Sequence, residues 1–122
     1  MIRHDIETEE DITNLVNQFY TKVRNDDLLA PVFNSIIKDN WERHLQTMCN
    51  FWSTILLYSK KYANDPMAKH LPMPLEKNHF DNWLTLFEET IDELFSGNTA
   101  SIAKMRANNI ARIMKSVKKI PL

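Results

Sequence analysis

Apolar side chains recur along this chain at steps of three and four residues, the spacing of one face of an α-helix. The first such stretch follows Thr8, and a hydroxyl residue with Asp11 three positions later is typical of a helix N-terminus. Its apolar face consists of Ile12, Leu15, Val16, Phe19 and Val23. The pattern predicts a helix from Thr8 to about Arg24, ended by Asp26 and Asp27.

Three further stretches have the same period and predict three more long helices. Asp39 is suited to cap the second helix, which runs to about residue 59, and Gly97 is suited to end the third. Asn98 or Thr99 can cap the fourth, which runs to Pro121. The second helix has an unusually aromatic stripe: Trp41, His44, Leu45, Met48, Phe51, Trp52, Ile55 and Leu56. The faces of the third and fourth are Phe80, Trp83, Leu84, Phe87, Ile91 and Leu94, then Ile102, Met105, Ile110, Ile113, Met114 and Val117.

Two connections in this all-α plan are not simple turns. Residues 28–37 are short and mixed around Pro31, which predicts a bent helical connector. Residues 62–78 contain Pro66, Pro72 and Pro74 and little periodicity, with room for one helical turn at 67–71. A long irregular segment inside a compact domain is often functional.

Composition narrows the class of protein. A chain of 122 residues corresponds to a single domain, here 1–122, and its one glycine excludes a glycine-rich phosphate loop. Cys49 has no partner for an internal disulfide, and neither a signal peptide nor a membrane span is present, so a cytoplasmic protein is expected. The net charge of −1 does not point to nucleic acid.

Three histidines are candidates for chemistry. His44 shares the aromatic stripe, so its ring should point inward, although a half-exposed position at the edge of the stripe is as well supported. His70 lies between apolar neighbours in the proline-rich segment and could bind iron axially, although an ordinary loop histidine fits the pattern better. His79 forms Glu-x-x-His with Glu76, but a di-iron bundle needs that motif twice.

Tyr20 and Trp83 border the faces of the first and third helices. Each carries a donor that needs an acceptor when buried, and backbone carbonyls or water would suffice. Together with His44, however, they could place polar tips in the apolar wall of a small-ligand pocket.

Six short motifs follow one another in a recognisable order. They are Phe19-Tyr20-x-x-Val23, Leu28-x-x-Pro31-x-Phe33, Trp41-x-x-His44, Phe51-Trp52, Lys69-His70-Leu71 and His79-Phe80-x-x-Trp83-Leu84-x-Leu86-Phe87. From about residue 8 to residue 115, this succession resembles the group III truncated haemoglobins of bacteria, and the lack of a glycine pair fits that group.

The resemblance implies a two-over-two helical sandwich around one haem b. His70 matches the proximal iron ligand of the family, with His79 as the alternative and Met73 ranked below both histidines. Three polar distal positions match Tyr20, His44 and Trp83, and His44 could gate ligand entry by swinging in and out. Apolar positions around the haem or in the core match Phe33, Trp41, Met48, Phe51, Trp52 and Phe80.

The function expected from the resemblance is binding of O2, NO and CO. Two donors aimed at a partly negative O2 would slow its release, which favours redox chemistry, detoxification or sensing over bulk transport. NO dioxygenation and peroxide reduction are the candidate reactions, with a reductase as a possible partner and a monomer expected. The alternative from a different class is a haem-free four-helix interaction or regulatory domain whose aromatic stripes are only core.

Overall fold

The computed structural model describes residues 3–60 and 75–117. Five α-helices occupy these ranges, and neither range contains a β-strand. The helices are α1 (Glu9–Arg24), α2 (Leu29–Ile37), α3 (Trp41–Leu57), α4 (Lys77–Leu94) and α5 (Asn98–Val117). The predicted all-α class is confirmed. The proline-rich segment lies largely outside the described residues, including His70, Met73 and the turn expected at 67–71.

Helix α1 begins as the sequence predicts. The Thr8 hydroxyl accepts a hydrogen bond from the backbone N–H of Asp11, and the Asp11 carboxylate accepts one from the N–H of Thr8. This reciprocal pair satisfies donors that a helix N-terminus otherwise leaves open.

The predicted connector at 28–37 is a regular helix. Asp26 accepts hydrogen bonds from the backbone N–H groups of Leu28 and Leu29 at 3.1 and 2.9 Å and so initiates α2. Pro31 falls in the first turn, where a missing N–H breaks no helical hydrogen bond. It therefore does not interrupt α2.

Three predicted helix ends are wrong in detail. The residue at the N-cap of α3 is Asn40, not Asp39, and the Asn40 side chain makes no capping hydrogen bond. Helix α4 ends at Leu94 with an extended Phe95, so Gly97 does not terminate it and instead precedes α5. Helix α5 begins at Asn98, so Asn98 and Thr99 lie within the helix that they were expected to cap. The first N–H groups of α5 are satisfied by Asp5, whose carboxylate accepts from Thr99 and Ala100 at 2.9 and 2.8 Å.

The helices form two packed pairs. Helix α1 packs against α3, α4 packs against α5, and α1 also lies against α4, which joins the two layers. The centre of the core is an aromatic and aliphatic cluster from α1 and α4, in which Phe19 and Phe87 are each 1% exposed. Helix α2 lies at one end of this sandwich, against α1 and α4.

Candidate functional site

A cavity of about 480 Å³ opens where α2 and α3 face α4 and α5. Most of its lining is apolar, as in many small-ligand sites. Eight of the residues predicted from the sequence line it: Tyr20, Phe33, His44, Met48, Phe51, Trp52, Phe80 and Trp83. The three polar candidates are thus brought to one cavity from three different helices.

Among the described residues, one predicted site residue does not line this cavity. Trp41 is 8% exposed and packs behind the wall, edge-on to the rings of Tyr20 and His44. His70 lies outside the described residues.

The cavity also has lining residues that the sequence reasoning missed. Helix α2 contributes a whole apolar face, and α3 contributes a polar rim, defined here as Asn40, Arg43 and Thr47. Besides the predicted Phe33, the α2 residues are Leu29, Val32, Ile36 and Ile37. Their spacing of three and four residues was a visible helical signal.

A stack of aromatic rings forms the inner wall. The rings of Trp83 and Phe87 are nearly parallel, with centroids 5.7 Å apart, and Trp52 stacks on Phe87 at 4.8 Å. Phe19 meets both Trp83 and Phe87 edge-on, at 5.7 and 5.2 Å. This close packing restricts the Trp83 indole to one orientation and so fixes the direction of its N–H.

Tyr20 is a buried phenol in the wall of the cavity. Only 5% of the residue is exposed, and burial, with a smaller contribution from Cys49, raises the pKa of its hydroxyl far above the ordinary value. The phenol therefore stays protonated and can donate. Within residues 3–60 and 75–117, neither the Tyr20 hydroxyl nor the Trp83 indole N–H has a hydrogen-bond partner.

His44 lies beside Tyr20 at the cavity wall. The two rings are perpendicular, with centroids 5.0 Å apart, and the imidazole is half-buried on the first turn of α3. A side chain in this position borders both the cavity and its rim.

His79 reaches the cavity from the first turn of α4, but its ring already has a structural role. Its Nδ1 accepts a hydrogen bond from the backbone N–H of Glu76 at 3.0 Å, completing a capping box. A neutral imidazole that accepts through Nδ1 carries its proton on Nε2. In this arrangement neither ring nitrogen of His79 offers a lone pair to a metal.

The described part of the chain has no direct metal site. Within residues 3–60 and 75–117, no three His, Cys, Asp or Glu side chains come together to hold an ion. A cofactor that brings its own metal needs only one or two ligands from the protein.

Within residues 3–60 and 75–117, no helix has the length and apolar character needed to cross a membrane.

Residues 4–118 match the family of bacterial-like globins. The chain belongs to this family. The group 3 truncated haemoglobin ctb of Campylobacter jejuni is 36% identical over 107 residues, covering 84% of each chain. This agrees with the resemblance to group III truncated haemoglobins that the six motifs predict.

Solved structures agree with the sequence comparison. The crystal structure of the group III truncated haemoglobin from C. jejuni superposes with a TM-score of 0.88 at 32% identity, covering 95% of this globin and 94% of that chain. The truncated oxygen-avid haemoglobin of Bacillus subtilis gives a TM-score of 0.74 at 26% identity, covering 88% and 92%. The fold is thus that of the truncated haemoglobins, and membership of the family implies a haem-binding globin.

Proposed function

We propose that this globin binds haem b in the 480 Å³ cavity, with His70 as the proximal iron ligand. We propose further that it binds O2, NO and CO on the side of the haem away from His70. The observation that supports this most directly is the meeting of Tyr20, His44 and Trp83 at one apolar cavity. Within the described residues neither Tyr20 nor Trp83 has a hydrogen-bond partner for its donor, and a haem-free helical core has no need for two such donors at one cavity, because buried donors are normally paired within the core.

The cavity fits the chemistry of a haem. The porphyrin ring is flat and apolar, whereas its two propionates are anionic and need polar or solvated surroundings. The walls of the cavity supply apolar contact, and the polar rim (Asn40, Arg43 and Thr47) lies on one side, on the first turns of α3. Arg43 is exposed at this rim and can pair with a propionate.

The choice of axial ligand follows from what the other histidines do. His79 is held through Nδ1 by the backbone of Glu76, and the ring of His4 packs edge-on against Phe95 and does not line the cavity. His44 stands on the side of Tyr20, where the distal ligand is proposed to bind. These positions favour His70, which the resemblance also matches to the proximal ligand.

When bound, a haem held by His70 would supply an iron able to bind diatomic ligands. The side chains around the cavity then set the dissociation rate of the bound ligand. Tyr20 and Trp83 donate to a ligand that carries partial negative charge, and each donor contributes about 1 kcal/mol in such a pocket. Slow release suits redox chemistry, detoxification or sensing better than transport, and NO dioxygenation and peroxide reduction are the reactions to assay.

The deciding experiment is the visible absorption spectrum of the protein expressed with haem available, in ferric, dithionite-reduced and CO-bound forms. Wild type and His79→Gln should both show a strong Soret band that shifts with CO, while His70→Ala should lose or alter it. A normal band in His70→Ala and a lost or altered band in His79→Gln would instead identify His79 as the axial ligand. No stoichiometric haem in the wild type would favour the haem-free interaction domain.

Location in the cytoplasm, a reductase partner and the monomeric state stay predictions. Fractionation, electron-transfer assays with candidate reductases and sedimentation of the haem-loaded protein test them in turn.

A further inference from the structure

The indole of Trp41 stands behind the two polar residues of the distal side. Its centroid is 6.0 Å from the Tyr20 ring and 5.7 Å from the His44 ring, and it meets both nearly edge-on, at interplanar angles of 63° and 89°. Trp41 therefore contacts both of these residues without lining the cavity itself.

Two polar groups hold the indole from the outer side. Its Nε1–H donates to Oδ1 of Asn34, on α2, at 3.1 Å. The guanidinium of Arg24, at the end of α1, lies 4.5 Å from the ring centroid in a cation–π contact. Trp41 is the first residue of α3, so its indole links this end of α3 to both α1 and α2.

These contacts limit how His44 can move. A side chain leaves its rotamer only if the neighbouring space can open, and close-packed interiors offer little such space. The Trp41 ring fills the space on one side of His44, so a swing of His44 toward that side requires the indole to shift and give up its bond to Asn34. Tyr20 is bounded by the same ring.

We propose that Trp41 is a positioning residue, and that the Asn34–Trp41 hydrogen bond controls how often His44 opens the cavity to diatomic ligands. This inference rests on the proposed function, because it concerns access to that same cavity. Trp41 acts through His44 and Tyr20 and does not touch the ligand.

Asn34 offers a clean test because it is exposed and its backbone carbonyl accepts the N–H of Lys38 whatever the side chain. Asn34→Ala removes the acceptor of the indole, and Asn34→Asp keeps one. Ser35→Ala is the matched control, since within the described residues the Ser35 hydroxyl bonds to the Val32 carbonyl of its own helix and to nothing else.

The measurement is the bimolecular rate of CO binding to the ferrous protein after flash photolysis. Loss of one neutral hydrogen bond should raise the rate about fivefold in Asn34→Ala, whereas Asn34→Asp and Ser35→Ala should stay close to wild type. Trp41→Phe removes the donor, so adding Asn34→Ala to it should cause no further rise. A purely structural role would lower thermal stability and leave the CO rate of the folded protein unchanged.

A second readout needs no haem. In the apoprotein, Asn34→Ala should speed hydrogen exchange of the Trp41 indole N–H and broaden the NMR signals of the His44 ring. Faster exchange with an unchanged CO rate, or no faster exchange at all, would overturn the positioning role. If the wild type takes up no haem, the proposed function fails, and an unbroadened His44 ring in the apoprotein variant would separately refute the restraint.

Discussion

The carboxyl group of Asp5 lies directly over the backbone of Gly97. A Cβ atom built on Gly97 would come within 2.5 Å of the Asp5 Cγ, and the φ angle of Gly97 is +145°. From this position Asp5 accepts hydrogen bonds from the first N–H groups of α5. The glycine allows the N-terminal segment to approach closely enough to cap the last helix.

Gly97→Ala should destabilise the globin by roughly 3 kcal/mol, because it combines a backbone angle that side chains rarely adopt with a steric overlap. Urea unfolding at neutral pH measures the loss. Ser96→Ala, at an exposed neighbouring position, is the control and should change stability little. A Gly97→Ala variant as stable as this control would contradict the close approach.

Asp5 should also make the stability depend on pH. Burial acts to raise its pKa, but hydrogen bonds from the backbone N–H groups of Thr99, Ala100 and Ile6 outweigh burial and hold the pKa below its ordinary value. A carboxyl whose pKa is lowered in the folded state stabilises the protein above its unfolded-state pKa of about 3.9. That contribution is lost as the pH falls through the folded-state value.

The test compares the free energy of unfolding of wild type and Asp5→Asn across this range. The variant should be less stable by about 1–2 kcal/mol at neutral pH, and the difference should shrink in acid. Glu7→Gln, an exposed carboxylate two residues away, controls for overall charge. A difference between wild type and Asp5→Asn that does not vary with pH would refute the assignment.

The same residues show what the sequence could predict. Helix faces such as that of α1 depend on local periodicity and local capping, so their positions followed from the pattern of apolar residues. The role of Gly97 did not, because it is decided by Asp5, which contacts the chain 94 and 95 residues away. From the local sequence alone, Gly97 was expected to end the helix that precedes it.

The candidate site shows the same division. Periodicity placed Trp41 and His44 on one stripe of α3, but only packing separates a residue that lines the cavity from one that stands behind it. The hydrogen bond from Trp41 to Asn34 cannot be predicted from the pattern of apolar residues. The capping role of His79 was also missed, because Glu-x-x-His differs from the usual Ser/Thr-x-x-Glu capping signature.

The distal donors should control ligand release. Tyr20→Phe and Trp83→Phe each remove one donor from the cavity, so each should raise the O2 dissociation rate about fivefold. Stopped-flow displacement of O2 by CO measures this rate. Tyr58→Phe is the matched control, because Tyr58 is 81% exposed and does not line the cavity. Unchanged rates in both donor variants would rule out hydrogen bonding as the cause of slow release.

The polar rim should set how tightly haem is held and which way its propionates face. Arg43→Gln removes the cation of the rim, and an exposed ion pair of this kind is worth up to about 1 kcal/mol, so haem transfer to an excess of an acceptor globin should become about two- to fivefold faster. Arg106→Gln, an exposed arginine of α5 that does not line the cavity, should leave the rate unchanged.

Haem dimethyl ester separates charge pairing from packing, because it keeps the porphyrin ring and loses the two anionic propionate groups. If Arg43 pairs with a propionate, wild type and Arg43→Gln should release the ester at the same rate. A variant that loses haem and ester equally faster would show that Arg43 acts through its aliphatic stem, and the propionates would then have to face another edge of the cavity.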